Sequence, residues 1–324
     1  MRAAWYEKQG PAREVLRVGV MADPTPDPKE VRVRIMASGI NPSDIKKRQN
    51  AFGYGMPYPR VIPHSDGAGI IDLIGDGVAA ECVGRRVWCY GAQSYRPFGT
   101  AAEYAVVPMA NAVPLPDEVS FEQGACLGIP GITAHRCVHA AGAVVGRTVL
   151  VQGAAGAVGV CAVQLAHRAG AVVIATVRAA ADESIARNAG ADHVFRLGPD
   201  LIESVHAVAP QGVDHIVEVA FGANITIDLE LLGVGGSVAT YASDADSPNI
   251  PFWPLLFKNV RLDFLGSDDF TALDKAEAAR AVNEALIAGW RGFEIVERLP
   301  LEEIATAHER LEAPRPRGRV VVSI

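Results

Sequence analysis

A segment near the middle of the 324-residue chain reads Val149-Leu150-Val151-Gln152-Gly153-Ala154-Ala155-Gly156-Ala157-Val158-Gly159. It begins with a short apolar run of the kind found in buried parallel strands. Small residues then form a turn, and a segment with helical periodicity follows over residues 158–169. A strand, a glycine-rich turn and a helix in this order predict the first unit of a doubly wound α/β sheet.

The turn matches the G-x-G-x-x-G fingerprint of dinucleotide-binding proteins, with alanine at its first position. Gly156 would let the backbone approach a pyrophosphate, and Gly159 would let the helix pack closely on the strand. The helix N-terminus offers unpaired N–H groups to the anion. A glycine-rich turn without a ligand is the alternative, but both flanks are of the right type. We therefore predict that a dinucleotide contacts Gly153, Ala154, Ala155, Gly156, Ala157, Val158 and Gly159.

The next strand candidate indicates which dinucleotide is bound. NAD sites usually carry an acidic residue about 20 residues after the turn, where it accepts from the ribose 2′-OH. Here the strand over residues 171–177 ends in Arg178, and no acid stands there. A guanidinium can pair with a 2′-phosphate, whereas a carboxylate would repel it. Thr176 and Arg178 therefore favour NADPH, with an exposed loop arginine as the alternative and Asp182 as a nearby opposing charge.

Elements flank this unit on both sides. After it, the pattern predicts further strands at residues 193–195, 215–219, 237–241 and 261–265, and helices at 183–189 and 276–288, the latter being the final long helix. Before it, the pattern predicts short strands at residues 31–37, 69–74, 87–90 and 102–107. Many short strands are typical of a barrel-like domain. Residues 318–324 are expected to form a strand that rejoins this first domain.

Composition limits the classes of partner. The chain has 30 Lys+Arg against 37 Asp+Glu and a net charge of −7, which argues against nucleic acid and anionic membranes as partners. No apolar run reaches the roughly 20 residues of a membrane span. The first residues lack the apolar core of a secretory signal, and the five cysteines form no C-x-x-C pair. We therefore expect free thiols and a cytoplasmic location.

Further motifs occur in an order and spacing that resemble the medium-chain dehydrogenase/reductase superfamily. They are residues 39–44 (Gly-Ile-Asn-Pro-Ser-Asp), 62–69 (Ile-Pro-His-Ser-Asp-Gly-Ala-Gly), 99–104, 131–134, 154–159, 190–194 and 318–322. Within that superfamily, the chain is similar to the zinc-free NADPH:quinone reductases related to zeta-crystallin. The resemblance runs nearly end to end.

The resemblance implies an α/β fold with a GroES-like β-barrel domain and a Rossmann doubly wound parallel sheet. The GroES-like substrate domain would comprise residues 1–122 and 292–324, and the Rossmann NADP-binding domain residues 123–291, with NADPH in the cleft between them. The implied coenzyme contacts outside the turn are Asn41 and Thr133 near the nicotinamide end, Tyr241 and Leu265 bordering the nicotinamide, and Arg196 near the adenine ribose. Arg315 and Arg317 also lie in a region that borders the adenine ribose in relatives, and which arginines besides Arg178 hold the 2′-phosphate stays open.

The resemblance also implies a homodimer, paired through the strand at residues 261–265. This strand is expected at the edge of the Rossmann sheet, and an exposed apolar edge needs covering.

Zinc-dependent members of the superfamily place Cys, His and Cys around their catalytic ion. The matching positions here are Asn41, Ser65 and Ile129, and none of these is a usual zinc ligand. His64 and Cys126 lie close by but out of register, so that a core role is favoured over a recruited metal pair. We therefore predict no metal.

The resemblance implies a reductase that transfers hydride from NADPH to a quinone or another α,β-unsaturated carbonyl. Asn41, Lys46 and Ser65 are the candidate hydrogen-bond donors that would stabilise the negative charge developing on the substrate oxygen, with a solvated side chain as the favoured alternative for Lys46. Several quinone reductases carry tyrosine where this chain has Lys46, so that the substrate stays open. The alternatives are an enoyl-thioester reductase, which would normally use that tyrosine, and a non-catalytic crystallin-like NADPH-binding protein. An RNA-binding version of the latter is disfavoured by the acidic charge.

Overall fold

The computed structural model describes residues 1–313 and 318–324, which divide into two compact units. The first unit comprises Met1–Ile129 and Arg291–Ile324, and the second comprises Pro130–Trp290. Arg315 and Arg317, which the resemblance places beside the adenine ribose, lie outside the described residues.

The first unit begins with a β-rich segment. Its strands are β1 (Arg2–Trp5), β2 (Arg17–Val20), β3 (Glu30–Gly39), β4 (Asp66–Ile74), β5 (Arg86–Cys89), β6 (Tyr104–Pro108) and β7 (Ala112–Pro114). Its helices are α1 (Ala12–Val15), α2 (Pro42–Gln49) and α3 (Phe121–Gly124). The four strands predicted here are confirmed as β3 to β6, with shifted ends. The β1–β2 hairpin and α2 were not predicted, because each offers too few apolar positions for a clear period.

The second unit alternates between strands and helices. The elements are α4 (Gly128–His139), β8 (Thr148–Val151), α5 (Ala157–Arg168), β9 (Val172–Val177), α6 (Glu183–Asn188), β10 (His193–Arg196), α7 (Leu201–Val208), β11 (Val213–Glu218), α8 (Phe221–Leu231), β12 (Leu232–Thr240), α9 (Phe252–Phe257), β13 (Arg261–Phe264) and α10 (Ala272–Ile287). The predicted strand–turn–helix unit is confirmed as β8 and α5.

The chain then returns to the first unit through β14 (Ile295–Pro300), α11 (Ile304–Glu312) and β15 (Arg319–Ser323). The long helix predicted at residues 276–288 is confirmed as α10, but the shorter helix α11 that follows it was not predicted. The buried positions of α11 are Ile304, Ala307 and His308. A face with one histidine and one alanine among three buried residues gives little of the apolar periodicity on which the prediction relied.

The second unit is built on a six-stranded parallel sheet of order β10-β9-β8-β11-β12-β13. Numbered along the unit, this is the 3-2-1-4-5-6 order of the Rossmann fold, so the predicted fold is confirmed. The order reverses between β8 and β11, where Val151 pairs in register with Val217. In such sheets the ligand crevice opens at the carboxyl ends of the strands at this switch point.

The first unit contains a seven-stranded sheet of order β14-β15-β3-β4-β5-β7, with β6 paired to β3. All of its pairs are antiparallel except β14 with β15. The closing strand β15 pairs with β3, as predicted for residues 318–324, and places Val321 opposite Gly39. The segment after β3 is thereby held beside the last strand of the unit.

A chain of buried polar side chains crosses the interior of the first unit. Arg48 Nε donates to His308 Nδ1 (3.3 Å), and the Nε2 atoms of His308 and His64 lie 2.9 Å apart. A guanidinium can only donate, so His308 carries its proton on Nε2 and His64 carries its own on Nδ1, which faces Ser38 Oγ at 2.7 Å. Burial lowers the pKa of both histidines, that of His64 to about 3. Two neutral rings therefore tie α2 and α11 to the strand β3.

Across residues 1–313 and 318–324, no helix combines the length and the apolar character that a membrane span needs.

Candidate active site

Two glycines of the turn between β8 and α5 occupy positions where a side chain does not fit. Gly153 has a φ of +65°, the left-handed region that favours glycine. A Cβ on Gly159 would lie 2.4 Å from the carbonyl oxygen of Gly153. The start of α5 is thus pressed against the turn, and the glycine that the fingerprint requires for close packing performs that role here.

The N-terminus of α5 is open. Its first residue is preceded by Gly156, which is exposed, and no side chain caps the helix. A Cβ on Gly156 would meet only the carbonyl oxygen of Gly153, at 3.3 Å. The first N–H groups of a helix have no partner within it. The bare backbone and the positive end of this 12-residue helix therefore suit an anion such as a pyrophosphate.

The ends of β9 and β10 present two arginines beside the turn. Arg178 and Arg196 are both exposed and line one surface pocket. Arg196 lies 3.4 Å from the Glu183 carboxylate, whereas Arg178 forms no ion pair with any described residue. Thr176 is fully buried, and its hydroxyl faces Gly153 N and Gln152 rather than the pocket. Thr176 thus supports the turn from behind, and the arginines provide the exposed charge.

The other predicted coenzyme residues of this unit follow the neighbouring strands. Tyr241 follows β12 and donates from its N–H to the carbonyl of Glu218 (3.2 Å), and Leu265 follows β13 and donates to that of Thr240 (2.9 Å). Thr133 is buried on α4. The structure therefore brings the glycine turn, Thr176, Arg178, Arg196, Tyr241 and Leu265 to the carboxyl edge of one sheet, as parallel strands require.

In the first unit, Asn41 is held at both ends of its amide. Its Nδ2 donates to Asp66 Oδ2 (2.6 Å), and its Oδ1 accepts from Arg319 Nη2 (3.0 Å). The backbone N–H of Ile129 donates to the same Asp66 oxygen, at 2.8 Å. Asn41 and Asp66 are both buried. The orientation of the Asn41 amide is therefore fixed, with its NH₂ group toward Asp66.

The other two candidate donors lie close in sequence to this cluster but are not bonded to it. Lys46 is half-buried on α2, and its Nζ lies 5.9 Å from the ring centre of Phe52. Ser65 is buried, and its carbonyl accepts from the N–H of Ala92 at 3.0 Å. Within the described residues, no hydrogen bond joins Lys46 to Asn41 or Ser65.

Known proteins resemble the chain over its whole length. Two family models match it, "Alcohol dehydrogenase GroES-like domain" over residues 27–117 and "Zinc-binding dehydrogenase" over residues 157–280. The quinone oxidoreductase of Rattus norvegicus is 33% identical over 309 residues, which cover 94% of this chain and 91% of that protein.

The chain belongs to the quinone oxidoreductase family. That family is a branch of the medium-chain dehydrogenase/reductase superfamily, so the resemblance found in the sequence is confirmed. Among solved structures, a mycobacterial protein complexed with NADPH has a TM-score of 0.86 at 26% identity, and an NAD-dependent alcohol dehydrogenase has 0.85 at 27% identity. Each match covers 100% of both chains. The fold is therefore shared by proteins that use either coenzyme.

The zinc-ligand positions of the wider superfamily hold side chains that do not suit zinc. The Asn41 amide is already bonded to Asp66 and Arg319, and Ile129 offers only its backbone. His64 has one ring nitrogen against Ser38 and the other against His308, and Cys126 is buried. In the part of the chain that the structure describes, no three His, Cys, Asp or Glu residues form a metal-binding group.

Sequence reasoning missed Asp66, although it directly follows Ser65 in a motif singled out above. Burial raises the pKa of Asp66 to about 7, against the opposing effect of the bonds from Asn41 and Ile129. Its Oδ1 has no hydrogen-bond partner among the described residues. A Cβ on Gly128 would lie 2.2 Å from that oxygen, so the carboxyl fits only against a glycine. With a pKa of about 7, the carboxyl group is present in both its neutral and its ionised form near neutral pH.

A raised carboxyl pKa makes the folded state retain a proton that the unfolded chain releases. Between about pH 4 and 7, Asp66 should therefore lower the free energy of unfolding by about 1.4 kcal/mol per pH unit as the pH rises, and the fall should stop above about pH 7. The variant Asp66→Asn should lack this component. Urea denaturation of both proteins from pH 4.5 to 8 measures it.

The exposed turn residue Asp76 provides the matched control, because Asp76→Asn removes a carboxyl of the same unit without changing its interior. It should keep the wild-type profile. If the stability difference between wild type and Asp66→Asn stays constant over this pH range, the raised pKa is contradicted.

Proposed function

We propose that this chain is an NADPH-dependent reductase that transfers hydride to a quinone or another α,β-unsaturated carbonyl without a metal ion. The observation that carries the proposal is the open glycine turn at the switch point of the sheet, with the exposed Arg178 at the end of the next strand. The quinone oxidoreductase relatives and the NADPH complex of the mycobacterial protein support it.

We propose that residues 123–291 form the coenzyme domain and that residues 1–122 and 292–324 form the substrate domain. The division into Pro130–Trp290 and the remainder supports this assignment. The cytoplasm is the proposed compartment, and the presence of five buried free thiols is in keeping with it.

The residues at the carboxyl edge of the parallel sheet fit NADPH by their chemistry. The backbone N–H groups at the start of α5 would bind the pyrophosphate, and Gly156 leaves them accessible. Arg178 would pair with the 2′-phosphate, and Arg196 would add charge if it leaves Glu183. Thr133, Tyr241 and Leu265 are the proposed contacts at the nicotinamide end.

When bound, the dihydronicotinamide supplies the hydride. The protein must then supply a hydrogen-bond donor or a positive charge that stabilises the negative charge developing on the substrate oxygen. Lys46 is half-buried and positively charged, which suits this role, and Ser65 offers a hydroxyl. The amide of Asn41 keeps one N–H beyond the one bonded to Asp66, and that bond fixes its direction. We propose these three residues as the electrostatic and hydrogen-bonding part of the catalytic site.

A comparison of acceptors tests the function. With NADPH as donor, we expect rapid oxidation by a small quinone, slower oxidation by an alkenal and little by an enoyl thioester, because position 46 lacks the tyrosine proton donor of enoyl reductases. NADPH absorbance at 340 nm measures the rates. Fastest turnover of the enoyl thioester would favour the alternative reductase, and NADPH binding without oxidation by any acceptor would favour the non-catalytic alternative.

The coenzyme preference depends on Arg178. A hydrogen bond to a charged group contributes roughly 1.5–3 kcal/mol, so Arg178→Ala should weaken NADPH binding about ten- to a hundred-fold. The dissociation constant of NADH should hardly change, because NADH has no 2′-phosphate. Arg168→Ala, which removes an exposed arginine from the last turn of α5, is the matched control. Equal weakening of both coenzymes in Arg178→Ala would contradict the assignment.

We also propose that the protein forms a homodimer through the edge strand β13. Among the described residues this strand pairs only with β12, so its outer backbone groups are available. The helix α9, which precedes the strand, carries an apolar patch, and the strand itself carries one exposed phenylalanine. These side chains are between 46% and 73% exposed: Phe252, Trp253, Leu256 and Phe257 on α9, and Phe264 on β13. Patches of this kind on one face mark interaction sites. A second copy can cover both the edge and the patch across a two-fold axis.

Light scattering at micromolar concentration should give twice the chain mass of 34.2 kDa. Phe264→Lys places a charge on the edge and should shift the mass toward the monomer. Val20→Lys, at an 82% exposed site in the first unit, should leave the dimer intact. A monomeric wild type would overturn the proposed dimer.

A further inference from the structure

Four polar side chains lie in the interior of the second unit, directly beneath the glycine turn. Gln152 follows β8, Thr176 lies near the end of β9, Glu218 ends β11, and Asp228 lies on α8. None of them is more than 1% exposed. Two carboxyl groups in a protein interior are costly unless they are paired and hydrogen-bonded. This cluster has no part in the proposed hydride transfer and therefore requires its own explanation.

Most atoms of the cluster have partners. Gln152 Nε2 donates to Asp228 Oδ1 (2.9 Å), and Glu218 Oε1 accepts from Asn224 Nδ2 (3.0 Å) and from the backbone N–H of Ala220. The exception is Asp228 Oδ2, which has no donor among the described residues. This oxygen belongs to a carboxyl group that lies within hydrogen-bonding reach of Glu218.

Two carboxylates cannot hydrogen-bond to each other, because neither has a donor. One proton between them supplies it. Burial, together with the negative charge of Glu218, raises the pKa of Asp228 well above its usual range. With the proton on Asp228 Oδ2, Asp228 donates to Glu218 and still accepts from Gln152. This arrangement gives every polar atom of the pair a partner.

The pair is connected to the backbone of the turn through two side chains. Thr176 Oγ1 donates to Gln152 Oε1 (2.5 Å) and accepts from the N–H of Gly153 (3.3 Å). The carbonyl of Thr176 also accepts from the N–H of Ala154, at 2.9 Å. Since Thr176 occupies Oε1 of Gln152, the Gln152 amide must point its NH₂ group toward Asp228. Hydrogen bonds thus connect the carboxyl pair of Asp228 and Glu218 to Gly153, the first residue of the turn.

We propose that Asp228 and Glu218 share one proton and that this protonated pair positions the glycine turn for the coenzyme through Gln152 and Thr176. Asp228 is then a positioning residue for coenzyme binding. If the pair releases its proton to solvent, two negative charges face each other beneath the proposed pyrophosphate site, and the bond that holds Asp228 is lost. Coenzyme affinity should therefore fall as the pH rises. This inference rests on the proposed function, because it assumes that the turn binds NADPH.

Other titratable groups pack around the pair. The phenol of Tyr241 interacts with Glu218, and the thiols of Cys137 and Cys161 interact in turn with that phenol. Burial raises the pKa of Tyr241 and of Cys137, so both groups stay uncharged over the range from pH 7 to 10 that is used below. The titration of the acid pair can therefore be separated from theirs by the variants below.

The test is the dissociation constant of NADPH, measured by its fluorescence from pH 7 to 10. In this range the 2′-phosphate is already fully ionised, since its second pKa is about 6. The wild type should bind at least ten times more weakly at the top of the range. Asp228→Asn should bind equally well throughout, because the amide NH₂ donates permanently where the acid needs its proton. Asp214→Asn, at the opposite end of β11, should keep the wild-type profile.

A second variant covers the case in which Asp228→Asn does not fold. In Glu218→Gln, the amide NH₂ group at position 218 can donate to Asp228. This variant should therefore also lose the pH dependence. Stability without coenzyme gives an independent readout: the unfolding free energy of the wild type should fall with pH more steeply than that of either variant. Tight NADPH binding with the same pH profile in wild type, Asp228→Asn and Glu218→Gln would overturn the inference. Absence of NADPH binding at every pH would instead overturn the proposed function, and this inference with it.

Discussion

The N–H groups at the start of α5 have no partners within their helix, and the carboxyl edge of the six-stranded sheet is organised around them. Gly159 presses the helix against the turn, and Gly156 keeps its end bare. The reversal of strand order between β8 and β11 opens the sheet at this point. A helix end that stays unsatisfied is costly in a protein interior. At an open edge, the same unpaired N–H groups suit an anion instead.

The buried polar side chains of the two units have different roles. In the second unit, side chains beneath the turn hold the backbone that faces the proposed ligand. In the first unit, Asp66 occupies the interior beside the positions that hold zinc ligands in other members of the superfamily. Asn41 and the backbone of Ile129 bond to its carboxyl group, where a metal site would need deprotonated ligands. A buried acid with its own donors thus organises this region through hydrogen bonds.

The fold and the exposed part of the site were predictable from sequence, because they depend on local patterns. The apolar run of β8, the glycines after it and Arg178 after β9 are all read within about 30 residues. The buried partners were not predictable in this way. Gln152 and Asp228 are 76 positions apart, and Asn41 and Arg319 are 278 apart. In the sequence, Gln152 only interrupts an apolar run, and its role depends on which distant acid the fold brings to it. Lys46 was named as a candidate from the sequence. Its proximity to Phe52 could not be predicted, because the loop after α2 has no periodic pattern.

The pairing of β15 with β3 also affects the order in which the protein can be built. The second unit is one continuous stretch, so it can begin to fold as soon as that stretch leaves the ribosome. The first unit is split around it, and Asn41 gains its bond from Arg319 only after the last strand has been made. During synthesis the second unit can therefore fold while the amide of Asn41 still lacks its bond from Arg319.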